Sequence, residues 1–249
     1  MDTPIYNFLL QTIKRKGAGF ITLIDPDNQT GAKAVKTAQI CEKEGADAIL
    51  VGGSIMLEDN FAAVTNKIKN TVDIPVIIFP GIFNLGELLA DAILFMSLIS
   101  SRNPQLLIGE QVKAAPMIKK AKIETIPTGY MIIESGSLTS VAYMSNSLPI
   151  PRNKADIAVA HALAAQYLGM KLLFMDAGSG ALFSVPTQMI SKVRNSIDIP
   201  LMIGGGVRSP EEAREKVEAG ADFVVVGSAI ENDNDEDRIH AFADAIHRS

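Results

Sequence analysis

Short apolar runs recur along the chain, separated by stretches in which apolar residues return every three or four positions. The runs at Phe20–Ile24, Ala48–Val51, Pro75–Phe79, Ala92–Ser97, Thr128–Glu134, Lys171–Met175, Leu201–Ile203 and Phe223–Val226 predict eight strands. They are apolar on both faces, as parallel strands buried between helices must be. The intervening pattern predicts helices over Ala32–Glu44, Phe61–Asn70, Gly109–Lys120, Ala155–Tyr167, Thr187–Arg194, Pro210–Ala219 and Glu231–Arg248, with one more, Ile5–Lys16, ahead of the first strand. Strand and helix alternate from end to end without a linker-like tract. That favours one (β/α)8 TIM-type barrel domain over residues 1–249.

Two near-repeats support the parallel reading. Gly45-Ala46-Asp47-Ala48 is echoed at Gly220-Ala221-Asp222-Phe223, and Asp73-Ile74-Pro75-Val76 at Asp198-Ile199-Pro200-Leu201. In each, a helix stops at Gly or Pro and a buried strand follows directly. One unit is short. The segment Pro80–Asp91, between the third and fourth strands, holds Pro80, Gly81 and Gly86, so its helix is expected to be stunted or replaced by irregular chain, opening the outer ring.

Composition narrows the class. The chain has 249 residues, 47% of them hydrophobic, with 23 basic against 28 acidic side chains and a net charge of −5. A nucleic-acid partner is not expected, because phosphate backbones are bound by clustered Lys and Arg. Single Cys41 excludes an internal disulfide and a Cys-based zinc site, and its place in a helical pattern reads as a small buried hydrophobe. The segment Met1–Lys16 is polar and ends in charges, so a signal peptide is not expected there, and the apolar stretch Ala92–Ile99 is too short to span a bilayer; a cytoplasmic protein is expected. A mean hydropathy of +0.20 leaves room for an apolar ligand groove or an oligomer interface.

Candidate chemistry gathers at the strand ends. Gly204-Gly205-Gly206 follows the seventh strand and Gly227-Ser228 the eighth, the two loops at which barrels of this type hold phosphate on backbone N–H groups. A third glycine loop, Asp176-Ala177-Gly178-Ser179-Gly180, follows the sixth. Asp176 at its mouth could accept a proton from a substrate hydroxyl or, equally, turn the chain on its own backbone. Across the barrel, Asp25 ends the first strand and Ser54 follows the second. Asp25 is a turn former or, with the Ser54 hydroxyl and no His or Cys beside it, a ligand for a hard cation such as Mg2+. The histidines His161, His240 and His247 fall in helices and read as surface or packing residues.

Several segments carry a resemblance to a known family. They include Asp25-Pro26-Asp27, Gly52-Gly53-Ser54, Ile126-Pro127-Thr128-Gly129-Tyr130, Thr139-Ser140-Val141-Ala142-Tyr143, Tyr167-Leu168-Gly169-Met170 and Ala177-Gly178-Ser179-Gly180-Ala181, with the glycine triplet. Over nearly its whole length the chain resembles the geranylgeranylglyceryl phosphate synthases, and in particular the second of their two major groups. The resemblance implies a prenyltransferase that joins a polyprenyl diphosphate, C20 in the leading case, to the 3-hydroxyl of sn-glycerol 1-phosphate. It implies Mg2+ on Asp25 and Ser54 holding the diphosphate. It implies glycerol phosphate on Phe174, Met175, Asp176, Ala177, Gly178, Ser179 and Gly180, on Gly204, Gly205 and Gly206, and on Gly227 and Ser228. Asp176 would take the hydroxyl proton. It further implies a groove where the third helix is replaced, and a homo-oligomer, dimer or hexamer.

Three departures from the family matter, at Phe174, Asp176 and Ser228. Phe174-Met175-Asp176 stands where Tyr-Leu-Glu is usual, and Ser228 where Asn is usual. Phe174 forfeits a phenol hydrogen bond of about 0.5–1.5 kcal/mol. Asp176 is one methylene shorter than Glu, and Ser228 reaches less far than an amide. Two other readings remain at this level: a phosphosugar isomerase or lyase of the same barrel type, and a non-catalytic phosphate-binding scaffold.

Overall fold

In a computed structural model that describes residues 3–29, 31–53, 60–81, 88–231 and 235–248, the apolar runs form eight parallel strands closed into a barrel in chain order. These are β1 (Gly19–Ile24), β2 (Ala48–Val51), β3 (Val76–Ile78), β4 (Ala92–Leu98), β5 (Glu124–Ile132), β6 (Leu172–Asp176), β7 (Leu201–Gly204) and β8 (Phe223–Val226). The helices are α1 (Pro4–Lys16), α2 (Gly31–Lys43), α3 (Phe61–Lys69), α4 (Glu110–Ala121), α5 (Ser140–Ser145), α6 (Ala155–Tyr167), α7 (Thr187–Arg194), α8 (Pro210–Glu218), α9 (Ser228–Glu231) and α10 (Glu236–Ile246), with a π-helical turn at Gln105–Gly109 leading into α4. No described helix is long and apolar enough to cross a membrane.

Strand alternation splits the core in two. Ile21, Leu50, Ile77, Leu94, Leu172, Phe174, Met202 and Phe223 fill the barrel, while neighbours such as Leu173, Met175, Ile203 and Val224 face the helices. Closure pairs β1 with β8, Gly19 opposite Phe223. A side chain at Gly19 would strike the Phe223 ring, so the glycine makes room for an aromatic inside the barrel. Leu9 of α1 packs on the interior cluster and closes the N-terminal end. The Glu124 carboxylate at the start of β5 accepts the Ile5 and Tyr6 N–H groups at 2.7 and 2.9 Å, satisfying the first turn of α1.

Some boundaries differ from the pattern-based expectation. β5 starts at Glu124 rather than Thr128, because Pro127 lies within the strand, opposite Phe95, and its carbonyl accepts the Lys171 N–H at 2.8 Å. It stops at Ile132, and Ile133 makes only an isolated bridge to Ile150. The last helix, expected from Glu231 to Arg248, is instead α9 and α10. Asp235 opens α10 by accepting the Arg238 N–H at 3.1 Å. Residues 79–81 and 88–91 around the expected stunted helix are non-helical, and 82–87 lie outside the described residues.

The near-repeats now have a physical reason. Asp47 and Asp222 each stand just before a strand and accept an N–H from the start of an adjacent strand, Phe20, second in β1, at 2.8 Å and Leu201, first in β7, at 2.7 Å; Asp91 does the same for Val76, first in β3, at 2.8 Å. Each is paired with a cation, Asp47 with Lys16, Asp91 with Lys69 and Asp222 with Arg194. The Asp-Ile-Pro repeats present their N–H groups to Glu42 and Gln166 side chains. Asp47 is the most enclosed of the three clamps. Burial raises its pKa, but bonds from His247, Lys16 and the Phe20 N–H outweigh that and hold it below the usual value. A folded pKa below the unfolded one stabilises the protein above the unfolded value and is lost as pH falls through the folded one. Asp47→Asn should therefore cost about 1–3 kcal/mol near neutrality. In urea unfolding, its gap from the parent should narrow below about pH 4, and a gap independent of pH would remove the clamp.

Candidate active site

One cavity of about 390 Å3 opens at the C-terminal end of the barrel. The loops after β1, β2, β6, β7 and β8 all reach it, so Asp25 and the Gly205 turn share one rim. Alternation along β6 decides which side chains enter. Phe174 and Asp176 line the cavity, whereas Met175 and Ala177 pack into the outer core, away from the glycerol phosphate position expected for them. The Ala177 N–H is spent on the Gly204 carbonyl at 3.1 Å and the Gly178 N–H on Asp176 at 2.8 Å. Of that loop, Ser179 and Gly180 line the cavity, as do Gly204, Gly205, Gly206, Gly227 and Ser228.

Asp176 is nearly enclosed. Its Oδ1 accepts the Gly178 N–H, and its Oδ2 accepts the Tyr130 phenol at 2.5 Å. Burial raises its pKa while these two bonds pull it down, and the net is upward from the ordinary value. That suits a carboxylate meant to take a proton. Gly205, at φ +78°, presses its Cα against this group: a Cβ there would collide with Asp176 Oδ1 and with the Gly178 and Ala177 nitrogens.

The opposite rim is acidic. Asp25 accepts the Asp27 N–H at 3.0 Å and the Asn28 amide at 3.2 Å, so its carboxylate is fixed over the mouth. Burial raises its pKa and the Asp27 charge adds to the rise, against the Asp27 N–H that lowers it. Gly53 lets the chain pass beside the Asp25 oxygens, where a Cβ would lie at 2.7 Å. Ser54, the expected second ligand, lies outside the described residues.

Among the further residues of the cavity wall to which the sequence gives no role are Tyr130, Arg208 and Ser140. Arg208 donates to the Ala181 and Leu182 carbonyls at 2.7 and 3.0 Å, tying the turn after β7 to the loop after β6. A signal for Tyr130 existed, since alternation along β5 turns Ile126, Tyr130 and Ile132 inward together. A second, more apolar cavity of about 170 Å3 lies between β4 and α4, lined by Pro80, Phe95, Met96, Ala114, Met117 and Ile118 among others. Pro80 of this cavity follows Phe79 of the first in sequence, at the end of β3.

Known proteins share this chain's sequence and architecture. The profile of the PcrB family matches residues 10–246. A geranylgeranylglyceryl phosphate synthase of Methanosphaera stadtmanae is 45% identical over 244 residues, covering 98% of this chain and 99% of its own. One from Chitinophaga pinensis is 42% identical over 247 residues, covering 99% and 97%. The crystal structure of (S)-3-O-geranylgeranylglyceryl phosphate synthase from Thermoplasma acidophilum, in complex with its substrate sn-glycerol-1-phosphate, matches with a TM-score of 0.89 at 35% identity and 99% coverage of both chains.

Proposed function

Because the chain belongs to the PcrB family, we propose that it is a prenyltransferase that joins a polyprenyl diphosphate to the 3-hydroxyl of sn-glycerol 1-phosphate through an ether bond. The observation that carries this reading is the two-sided cavity: an acidic rim at Asp25 faces glycine turns and a buried carboxylate at Asp176, beside an apolar groove. The Thermoplasma relative was solved with sn-glycerol-1-phosphate, which supports this compound as the acceptor.

Glycerol phosphate would rest on the turns at Ser179–Gly180, Gly204–Gly206 and Gly227–Ser228, where glycines let backbone approach the oxygens closely. This would orient its 3-hydroxyl toward Asp176. The prenyl tail would lie along the groove beside β4. Mg2+ is part of the reading. Asp25, with Asp27 and Asn28 beside it, offers oxygen donors and excess negative charge, and Mg2+ needs only one or two carboxylates when phosphate and water complete its shell. The chemistry supplied by bound Mg2+ is charge neutralisation on the departing diphosphate. The allylic C–O bond breaks and its electron pair leaves with diphosphate. The glycerol oxygen bonds to that carbon, and its proton passes to Asp176. The cavity holds both partners in one orientation, which supplies the proximity contribution. A homo-oligomer belongs to the same reading, supported by the exposed side chains of Tyr143, Leu148, Tyr167 and Leu168.

The test is incubation of labelled glycerol 1-phosphate with Mg2+ and a ladder of prenyl diphosphates. Labelled ether lipid is the expected product, with one chain length preferred. Binding of glycerol phosphate without product across the whole ladder would leave a scaffold in its place.

A further inference from the structure

Tyr130 and Asp176 stand on adjacent strands, and each is almost fully enclosed at the base of the cavity. The two oxygens of Asp176 are not equivalent. Oδ1 holds the Gly178 N–H and is the atom that a Gly205 side chain would strike, so it is turned into the β6–β7 junction. Oδ2 points away from that junction and accepts the Tyr130 phenol at 2.5 Å. The phenol is itself held in place: its ring meets Phe174 edge-on at 5.4 Å and Phe79 at 5.9 Å.

We propose that Asp176 Oδ2 is the atom that takes the acceptor's proton and that Tyr130 is its positioning residue, aiming that oxygen and favouring its ionised form. This rests on Asp176 being the base in the proposed reaction. Burial drives the carboxyl toward its neutral form, which could not accept a proton, and the phenol opposes that drift. Burial and then the Asp176 charge push the Tyr130 phenol well above its usual value, so it keeps its proton and stays a donor. Among the described residues, the other charged groups lining the cavity are Arg208 beyond β7 and, at the far rim, Asp25 and Asp27.

The experiment is the pH profile of kcat/KM for glycerol 1-phosphate in Tyr130→Phe, beside Asp176→Asn. Losing a hydrogen bond to the charged form raises the base's pKa, so the acid limb should move up by about one to two pH units. kcat should fall about tenfold with KM little changed, because orientation is lost and binding is not. A drop in activity with the acid limb unmoved would mean a merely structural tyrosine and would overturn the proposal. If Tyr130→Phe fails to fold, 3-fluorotyrosine at position 130 keeps the ring and makes a stronger donor. The limb should then move down, and an unmoved limb again overturns the pairing. Asp176→Asn separates the two ideas. Parental turnover in that variant removes Asp176 as the base, and the positioning role with it. An inactive Asp176→Asn together with an unshifted Tyr130→Phe removes only the role of Tyr130.

Discussion

Asp25→Asn is expected to lower Mg2+-dependent turnover by at least about a thousandfold, equivalent to about 4 kcal/mol of transition-state stabilisation. The substitution keeps the shape of the side chain and removes its charge. The size of the effect follows from where Asp25 sits. Its carboxylate is held on both oxygens by the Asp27 N–H and the Asn28 amide, and the Gly53 backbone packs against it, so it is aimed before any substrate arrives. Asp27 lies on the same loop and lines the same cavity, but it lacks the strand end that fixes Asp25. It should not take over the role. Glycerol phosphate binding, read by calorimetry, should be nearly unchanged, because the glycine turns belong to the other wall. Near-parental turnover at saturating concentrations of both substrates would take Asp25 out of the mechanism. Equal loss of glycerol phosphate binding would show that the two rims are not separate sites.

The strands were the most legible part of the chain, for a physical reason. A parallel strand buried on both faces must be apolar throughout, and the bounds of β2 and β8 follow directly from that. β5 was harder because Pro127 resembles a boundary. In a barrel, a strand tolerates one missing donor when its carbonyl is still used, as Pro127 does with Lys171. α5 was missed because its six residues are too few to show a helical period. The rim residues Asp25, Asp176, Gly205 and Ser228 were readable from their place at strand ends. The resemblance covers the loop whole and so extends to Met175 and Ala177, although strand parity sends both outward. For Tyr130 the inward position is legible and the role is not. An inward aromatic on a barrel strand looks like core until its partner 46 residues away is known. Arg208 was hidden because its task, joining two loops through their carbonyls, leaves no local pattern.

The Gly205 turn offers the sharpest test of how closely this site is built. Gly205→Ala should lower turnover by about a hundredfold or more, since a displacement on the order of 1 Å at a reacting group can cost that much. Two effects add. At φ +78° any L side chain is strained, at about 1–2 kcal/mol. The new Cβ would also overlap Asp176 Oδ1, with the Gly178 and Ala177 nitrogens only 2.5 and 2.7 Å away, all of them backbone or hydrogen-bonded groups that cannot swing aside. Gly169 separates the two effects. It has nearly the same backbone conformation, φ +82°, between α6 and β6 at the far end of the barrel, and nothing lies within 4 Å of where a Cβ would go. Gly169→Ala should therefore lose a similar backbone contribution in stability while turnover stays at the parental level. In Gly205→Ala, KM for glycerol 1-phosphate should rise as kcat falls, because one turn shapes the phosphate pocket and presses on the base. If both variants lost the same stability and kept the same turnover, the contact between Gly205 and Asp176 would have no part in catalysis, and the glycine would be there only for its backbone.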